Sequence, residues 1–421
     1  MPKNLVATPP RRTPPLRGLA LLGPALVAGV AYLDPGNVAS NMTAGAAYGY
    51  LLVWVVLAGN VMAWLIQYLS AKLGVVTGRS LPELLGSRIR RPWARRAYWA
   101  QAELVAMATD LAEVIGGAVA LNLLFGIPLL LGGVITGAVS MALLAVHSRR
   151  GPRPFEFIVI GLMAIITIGF VAGAVIAPPD PAGIAAGVLP RFTDSGSVLL
   201  AASILGATIM PHAIYAHSAL SRDRFAIPAQ AGDAARPAVR TLLRATRWDV
   251  TIAMVIAGSV NLAILLVAAA NLAGVEGTDS LEGAHTALEA GLGPVIATLF
   301  AVALLASGLA STSVGAYAGA EIMHGLLHVR VPMLARRLVT LIPALVVLAV
   351  GFDPTLALIL SQVVLSFGIP FALVPLVALT AQRRTLGAFA NRALTTVVGI
   401  LASVLLIALN GVLLWLVLTG T

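Results

Sequence analysis

The sequence contains no cysteine, and only 10% of its 421 residues are charged. Without cysteine there are no disulfide bonds and no thiolate metal sites. A soluble domain has about a quarter of its residues charged, so the low charge argues against that class. The chain also has no His-Glu-x-x-His motif, the usual mark of a zinc metalloprotease. These absences disfavour a soluble protein and a metalloenzyme.

Hydrophobic residues make up 59% of the chain, and the mean hydropathy is +0.95. This composition is typical of a polytopic membrane protein. A transmembrane helix needs about 20 apolar residues. The chain offers eleven such segments, at 18–46, 49–71, 98–124, 128–146, 156–177, 197–220, 249–271, 290–320, 333–350, 355–379 and 394–418. We therefore predict an all-α membrane protein with eleven transmembrane helices.

Basic residues alternate between the loops of this prediction. Of the 27 Lys and Arg residues, all but Arg191 fall in the tail 1–17, in every second loop after it, or, for Arg336 and Arg337, at the start of the ninth segment beside such a loop. Because basic loops stay on the cytoplasmic side, the pattern predicts a cytoplasmic tail 1–17 and an N-terminus inside. The net charge of +10 follows from this topology. We therefore expect no nucleic-acid partner, which would need a soluble basic face.

A polar stretch, Asp34-Pro35-Gly36-Asn37, interrupts the first apolar segment. Proline lacks an amide hydrogen and glycine tolerates non-helical torsions, so the helix is predicted to break here. One interpretation is a simple kink with a buried, protonated Asp34. The other is a cation site, since free carbonyls and a carboxylate persist in a membrane only where protein or a cavity accommodates them.

A second stretch, Ala207-Thr208-Ile209-Met210-Pro211-His212, repeats this arrangement 176 residues later. Each break opens a group of five segments, 18–177 and 197–379, and 394–418 follows as a peripheral eleventh helix. Because five is an odd number, the second group would enter the membrane from the opposite side. This pattern predicts a LeuT-like inverted repeat with one central site between the two breaks.

The residues at the breaks indicate which cation would bind. Asp34 and Asn37 offer oxygen, and the breaks add carbonyls near Ala31 and Ala207. Oxygen ligands alone would suit Mg²⁺, Ca²⁺ or Mn²⁺. Met210 would favour Mn²⁺, Fe²⁺, Co²⁺ or Cd²⁺ if its soft thioether is a ligand, although an isolated methionine in an apolar helix is usually packing.

Three acids lie in the third segment, Glu103, Asp110 and Glu113, spaced for one helical stripe. Arg336 and Arg337 begin the ninth segment and are predicted to pair with them. The group is either a static ion-pair network or a proton route, and the residues alone do not decide between these. His212 is suited to proton exchange, or it lines a polar vestibule. Solvated structural roles are predicted for the histidines nearer segment ends, which include His217, His285, His324 and His328.

Taken together, these motifs resemble the Nramp family of proton-coupled divalent metal transporters, in its bacterial manganese-transporter branch. The likeness covers about residues 18–418 and includes the run from Gln101 to Glu113 and the pair Ser361-Gln362. It implies a LeuT-type fold and metal ligation at Asp34, Asn37, Met210, Ala31, Ala207 and Gln362. It also favours the proton route for Asp110, Glu113, Arg336 and Arg337. We predict that Asp34, His212 and Glu103 belong to the same route.

The expected function is secondary active import of Mn²⁺, and also of Fe²⁺, Co²⁺ and Cd²⁺, by alternating access. We expect no enzyme activity and no cofactor, a monomer in the inner membrane of a bacterium, and a proton moving from Asp34 toward Asp110 as metal binds. The alternatives are a LeuT-fold carrier of Mg²⁺ or of a small organic substrate. Met210 argues against the first, and Asp34 would repel the carboxylate of an amino acid.

Overall fold

The computed structural model describes residues 23–150, 152–225 and 236–419, and these residues form helices without any strand. The predicted cytoplasmic tail 1–17 lies outside the described residues. The helices in these ranges are α1 (Pro24–Ala31), α2 (Pro35–Tyr48), α3 (Val53–Thr77), α4 (Leu81–Arg88), α5 (Pro92–Phe125), α6 (Leu129–Arg150), α7 (Pro152–Ile176), α8 (Pro181–Gly187), α9 (Ser195–Thr208), α10 (Pro211–Arg224), α11 (Arg236–Asn271), α12 (Leu281–Leu292), α13 (Pro294–Leu327), α14 (Met333–Ala349), α15 (Pro354–Ala381), α16 (Arg383–Leu386) and α17 (Ala393–Thr419).

Eight helical stretches in the described part of the chain are long and apolar enough to cross a membrane, or nine if a bent pair counts as one span. The bent pair comprises α7 and α8, which meet at 118°. Helices α1, α2 and α14 have 8, 14 and 17 residues and fall below the usual length of a span. Each predicted segment overlaps a helix or a broken pair. The number eleven and the inside N-terminus remain predictions.

The helices enclose the two broken pairs, α1–α2 and α9–α10. Helix α2 packs on α11, α10 packs on α3, and α9 packs on α15, while α5 and α13 pack along each other. Glycine permits the closest approaches. A Cβ at Gly74 would lie 2.1 Å from the Ser218 carbonyl oxygen, and one at Gly206 would lie 2.0 Å from the Gln362 carbonyl oxygen. Small residues at helix contacts are the usual means of close packing in membranes.

Helix α17 lies at the periphery of the bundle. Its main contacts are with α15, α9 and α3. Large apolar side chains on most of its surface are exposed, including Leu394, Leu401 and Leu414. A helix that is apolar on its exposed face is stable in lipid and would be a liability in water.

Asp194, which lies just before α9, links the last residue of α2 to the first turn of α9. Its carboxylate accepts hydrogen bonds from the Ser197 amide at 2.7 Å and from the Tyr48 hydroxyl at 2.7 Å. Hydrogen bonds from the Ser197 backbone and the Tyr48 hydroxyl hold the pKa of this exposed carboxyl below its usual range. Since Tyr48 is the last residue of α2, the contact links α2 to the start of α9.

Candidate metal and proton site

The first helix break occurs where the proline-glycine pair predicts it. Helix α1 ends at Ala31 and α2 begins at Pro35, with Asp34 as the N-terminal cap. The Asp34 carboxylate accepts a hydrogen bond from the Asn37 amide at 2.8 Å. Asp34 and Asn37 are both fully buried, so the break places a carboxylate and an amide inside the bundle.

The second break has the same construction. Helix α9 ends at Thr208 and α10 begins at Pro211, with Met210 in the capping position. Met210 is fully buried and makes no side-chain capping bond. Asp34 and Met210 therefore occupy corresponding positions, each directly before the proline that starts a half helix.

The two prolines also explain which backbone carbonyls lack a hydrogen bond within their own helix. Pro35 follows Ala31 by four residues, and Pro211 follows Ala207 by four. Proline has no amide hydrogen, so neither carbonyl can accept the usual helical hydrogen bond. The Ala207 carbonyl instead accepts a bond from the Asn37 side-chain nitrogen at 3.3 Å. This bond joins the two breaks directly.

Gln362 on α15 completes the group. Its Nε2 donates to Asp34 Oδ2 at 3.1 Å, while its Oε1 is buried with no hydrogen-bond partner among the described residues. A Cβ at Gly36 would lie 1.7 Å from Gln362 Nε2. Glycine at position 36 therefore leaves the space that the Gln362 side chain occupies beside the break.

The structure thus brings Asp34, Asn37, Ala207 and Gln362 into one hydrogen-bonded group, and places Ala31 and Met210 at the ends of the same two breaks. In the described part of the chain, no group of three His, Asp or Glu residues is arranged to hold a metal ion. The two breaks and Gln362 together offer one carboxylate, several neutral oxygens and one thioether. This donor set suits a divalent cation that passes through better than a resident zinc ion.

The predicted pairing between the acids of α5 and the arginines of α14 is present. Arg337 Nη1 lies 2.7 Å from Asp110 Oδ1 and 3.2 Å from Glu113 Oε2. Arg336 Nη2 lies 2.7 Å from Glu103 Oε1, and its Nη1 lies 3.7 Å from Asp110 Oδ2. Arg337, Asp110 and Glu113 are fully buried. Buried charges of this kind need such partners.

The network holds three carboxyl groups and two guanidinium groups. With every carboxyl ionised it would carry one excess negative charge, so a single bound proton makes it neutral. Glu113 Oε1 has no hydrogen-bond partner among the described residues, which leaves an atom able to carry that proton. The geometry is thus compatible both with a static ion-pair network and with proton transfer.

His212 lies next to α5. Its Nδ1 is 3.1 Å from the Thr109 hydroxyl oxygen, and Thr109 directly precedes Asp110. The ring is buried, and Nε2 has no partner among the described residues. His212 therefore lies between the second break and the acidic stripe.

Three polar residues near the breaks, Asn261, Asn41 and Ser307, were not anticipated from sequence. Asn261 on α11 donates to the Tyr32 carbonyl at 3.1 Å, which also accepts from Asn37 Nδ2 at 2.6 Å. Asn41 Nδ2 donates to Asn37 Oδ1 at 2.6 Å, and the Ser307 hydroxyl donates to the Leu33 carbonyl. The sequence signal for Asn41 was its spacing of four residues from Asn37. Asn261 could have been noticed as an amide in an apolar segment.

The prediction for His217 was wrong. This ring is 1% exposed, and its Nδ1 lies 2.6 Å from Gln67 Oε1. Gln67 in turn donates to the Tyr32 hydroxyl. The position of His217 near a segment end indicated solvent, but α3 packs on α10 and supplies the polar partner that burial requires.

Glycines of α13 were also missed. A Cβ at Gly319 would lie 2.0 Å from Arg336 Cζ, and one at Gly315 would lie 3.1 Å from Glu113 Oε1. The two glycines are four residues apart and so face the same side of α13. They leave room for the guanidinium of Arg336 and the carboxylate of Glu113.

Comparisons with known proteins identify the family of this chain. The family model described as natural resistance-associated macrophage protein-like (Nramp) matches residues 25–416. The divalent metal cation transporter MntH of Mycobacterium tuberculosis (strain ATCC 25618 / H37Rv) is 59% identical over 400 residues, covering 95% of this chain and 92% of the relative.

Solved structures add the fold. The crystal structure of the Eremococcus coleocola manganese transporter is similar with a TM-score of 0.83 and 33% identity, over 93% of this chain and 85% of that one. Mhp1, a nucleobase-cation-symport-1 family transporter, matches with a TM-score of 0.59 at 13% identity, over 93% of this chain and 90% of that one. The second likeness shows the fold alone, which is LeuT-like. From the family model and the close relatives together, this chain belongs to the Nramp family.

Proposed function

We propose that this protein imports divalent transition-metal ions, Mn²⁺ foremost, across the inner membrane of a bacterium by alternating access coupled to protons. The observation that carries the proposal is the meeting of the two helix breaks, where Asp34, Asn37, Ala207 and Gln362 form one buried hydrogen-bonded group. Relatives named as divalent metal cation transporters and a structural neighbour named as a manganese transporter support this proposal.

The proposed ligands are Asp34, Asn37, Met210, Gln362 and the carbonyls of Ala31 and Ala207. In the present arrangement several of these donors bind one another. The side-chain Nδ2 of Asn37 donates to the Ala207 carbonyl, and the side-chain Nε2 of Gln362 donates to the Asp34 carboxylate. A cation would replace both contacts, so its entry requires the two amides to turn their oxygens toward the site. Metal binding and local rearrangement are therefore linked.

Met210 is proposed to set selectivity. Asp34 and the amide oxygens are hard ligands that accept Ca²⁺ and Mg²⁺ as readily as Mn²⁺. A thioether offers little to Ca²⁺ and Mg²⁺ but accepts Mn²⁺, Fe²⁺, Co²⁺ and Cd²⁺. The same residue counts against a magnesium carrier, and the Asp34 carboxylate counts against an amino-acid carrier.

Proton coupling is proposed to begin at Asp34, since metal binding favours its ionised form. The released proton would pass toward the acidic stripe, by way of His212 to Asp110 and Glu113, with Arg336, Arg337 and Glu103 completing the route. Two observations support this route. The network carries one carboxyl more than it has arginines, and His212 contacts the residue before Asp110.

The driving force is consistent with import. A divalent cation that moves inward gains about 4.6 kcal/mol per 100 mV of inside-negative potential, twice the value for one charge. No bond is made or broken, so no enzyme chemistry is needed. We further propose a monomer in which 18–177 and 197–379 form the two inverted five-helix repeats and 394–418 the eleventh span.

The test is uptake by purified protein in proteoliposomes. Mn²⁺ should enter and acidify the lumen, and excess Ca²⁺, Mg²⁺ or alanine should compete weakly. Equal inhibition by Mg²⁺ would favour the magnesium alternative. Inhibition by alanine alone would overturn the metal proposal.

A further inference from the structure

Three arginines converge at one end of the seam between α3 and α11. Arg240, Arg244 and Arg247 line a cavity of about 330 Å³ together with Tyr68 and Phe389. Their spacing of four and three residues places them on one face of α11. The cavity therefore has a cationic wall on one helix and an aromatic wall on the neighbouring elements.

Among the residues that the structure describes, no carboxylate lines this cavity and none of the three arginines forms an ion pair. The Arg247 guanidinium lies over the Trp64 ring, 5.6 Å from its centroid. Stacking of this kind fixes the guanidinium plane and leaves its N–H groups free to bind oxygen. The cavity is built for an anion with several acceptor oxygens, such as a phosphate group.

An apolar groove lies next to this cavity on the same seam. A second cavity of about 390 Å³ is lined mainly by apolar side chains, including Leu57, Val61, Met254 and Val255. Trp64 lines this groove, and its ring stacks with the Arg247 guanidinium of the first cavity. Trp64 therefore lies where the groove and the first cavity meet. From Arg247 to the last lining residue of α11 the helix rises roughly 22 Å, which exceeds the roughly 15 Å hydrocarbon thickness of one leaflet.

We propose that an anionic phospholipid binds in this seam, with its phosphate among Arg240, Arg244 and Arg247 and an acyl chain in the groove. Free phosphate would explain the first cavity but not its apolar continuation. Trp248, beside Arg247, is 64% exposed, as expected for an aromatic side chain at the level of lipid headgroups. Basic pockets between membrane helices are known binding sites for anionic headgroups.

The lipid would touch the helix that holds the first half helix in place. Asp249 on α11 accepts a hydrogen bond from the Ala25 amide of α1 at 2.9 Å. Met254 lines the groove, and its Cε lies 3.7 Å from where a Cβ on Gly29 of α1 would be. A lipid bound in the seam would therefore contact the part of α11 that packs against α1.

The experiment is native mass spectrometry of the full-length protein in detergent, titrated with dioleoyl phosphatidylglycerol or dioleoyl phosphatidylcholine. The parent should retain phosphatidylglycerol in preference to phosphatidylcholine. Arg244→Gln/Arg247→Gln should weaken this binding about 25-fold, from about fivefold per basic residue near an anionic lipid. Ser259→Phe, which fills the groove and keeps the arginines, should weaken both lipids.

The matched control is Arg91→Gln/Arg96→Gln, which removes two exposed positive charges outside the seam. It should bind phosphatidylglycerol as the parent does. Equal loss in both double variants would show general charge attraction and overturn the site. Displacement of the lipid by inorganic phosphate at equal concentration, with no effect of Ser259→Phe, would identify a phosphate-ion site and overturn the lipid proposal.

Discussion

At the scale of single residues, Asp34 is the only carboxylate in the hydrogen-bonded group at the two breaks. Asp34→Ala should reduce Mn²⁺ uptake to the background of empty liposomes, because it removes the charge that balances the cation. Asn37→Ala should cost less, since it removes one neutral ligand that water can replace. The measurement is uptake at equal reconstituted protein, with folding checked by chromatography. Uptake by Asp34→Ala near the parent rate would disprove the site.

Replacing Met210 tests whether this residue sets the selectivity among metal ions and not the affinity for Mn²⁺. In Met210→Ala, water can fill the vacancy, and an all-oxygen site handicaps Cd²⁺ most and Mn²⁺ least. The lost ligand should cost a few kcal/mol at most, by analogy with one buried polar contact. Mn²⁺ uptake should therefore persist while Ca²⁺ and Mg²⁺ become effective competitors. If the variant ignores both ions as the parent does, Met210 is packing.

The buried acids of α5 distinguish a proton route from a static network. Asp110→Asn and Glu113→Gln keep side-chain size and remove a group that binds a proton. Each should lower proton influx per metal ion and flatten the dependence of Mn²⁺ uptake on external pH, while the concentration giving half-maximal uptake changes little. Paired measurements of metal and proton flux provide the check. Unchanged proton influx in both variants would favour the static ion-pair network.

At the scale of secondary-structure elements, Gly319 on α13 leaves the space that the Arg336 side chain of α14 occupies. A methyl group there would overlap the Arg336 guanidinium, which lies at the end of a flexible side chain and can move. Gly319→Ala should therefore leave the fold intact but separate Arg336 from Glu103 and Asp110. We expect a changed pH dependence of uptake and a lower thermal stability, because a buried guanidinium that loses its carboxylate partners is destabilising.

The control for this helix contact is Gly161→Ala on α7, where an added Cβ meets no atom within 4 Å. It introduces the same methyl group into another helix and should leave uptake at every pH as in the parent. A parent-like pH profile in Gly319→Ala as well would show that the position of Arg336 does not matter for coupling.

At the scale of the whole molecule, the alternation of basic loops predicts which surface faces the cytoplasm. The native chain has no cysteine, so single cysteines can be introduced without further changes. Asp279→Cys and Arg384→Cys replace exposed residues on opposite predicted faces. In intact cells, a membrane-impermeant maleimide should label the first variant and spare the second until the membrane is opened. The reverse pattern would invert the topology.

The sequence by itself determined both breaks and the carbonyls they free. Proline acts through covalent structure, by removing an amide hydrogen and fixing a torsion, so Pro35 and Pro211 specify where α1 and α9 end without help from any neighbour. The stripe of acids on α5 was equally readable, because helical spacing alone places Asp110 and Glu113 on one side. The family motifs, and with them the fold, lie in these same local patterns.

Except for the pairing of Arg336 and Arg337 with the acids of α5, the specific contacts between distant groups were decided only by the tertiary structure. Gln362 lies 328 positions from Asp34, and no local rule predicts that its amide contacts that carboxylate. His217 is buried because α3 supplies Gln67, and three arginines form a pocket because α11 packs beside α3. Each of these contacts depends on how helices pack. Packing is set by the combined burial of many small and apolar side chains, so no single residue pattern in the sequence reveals it.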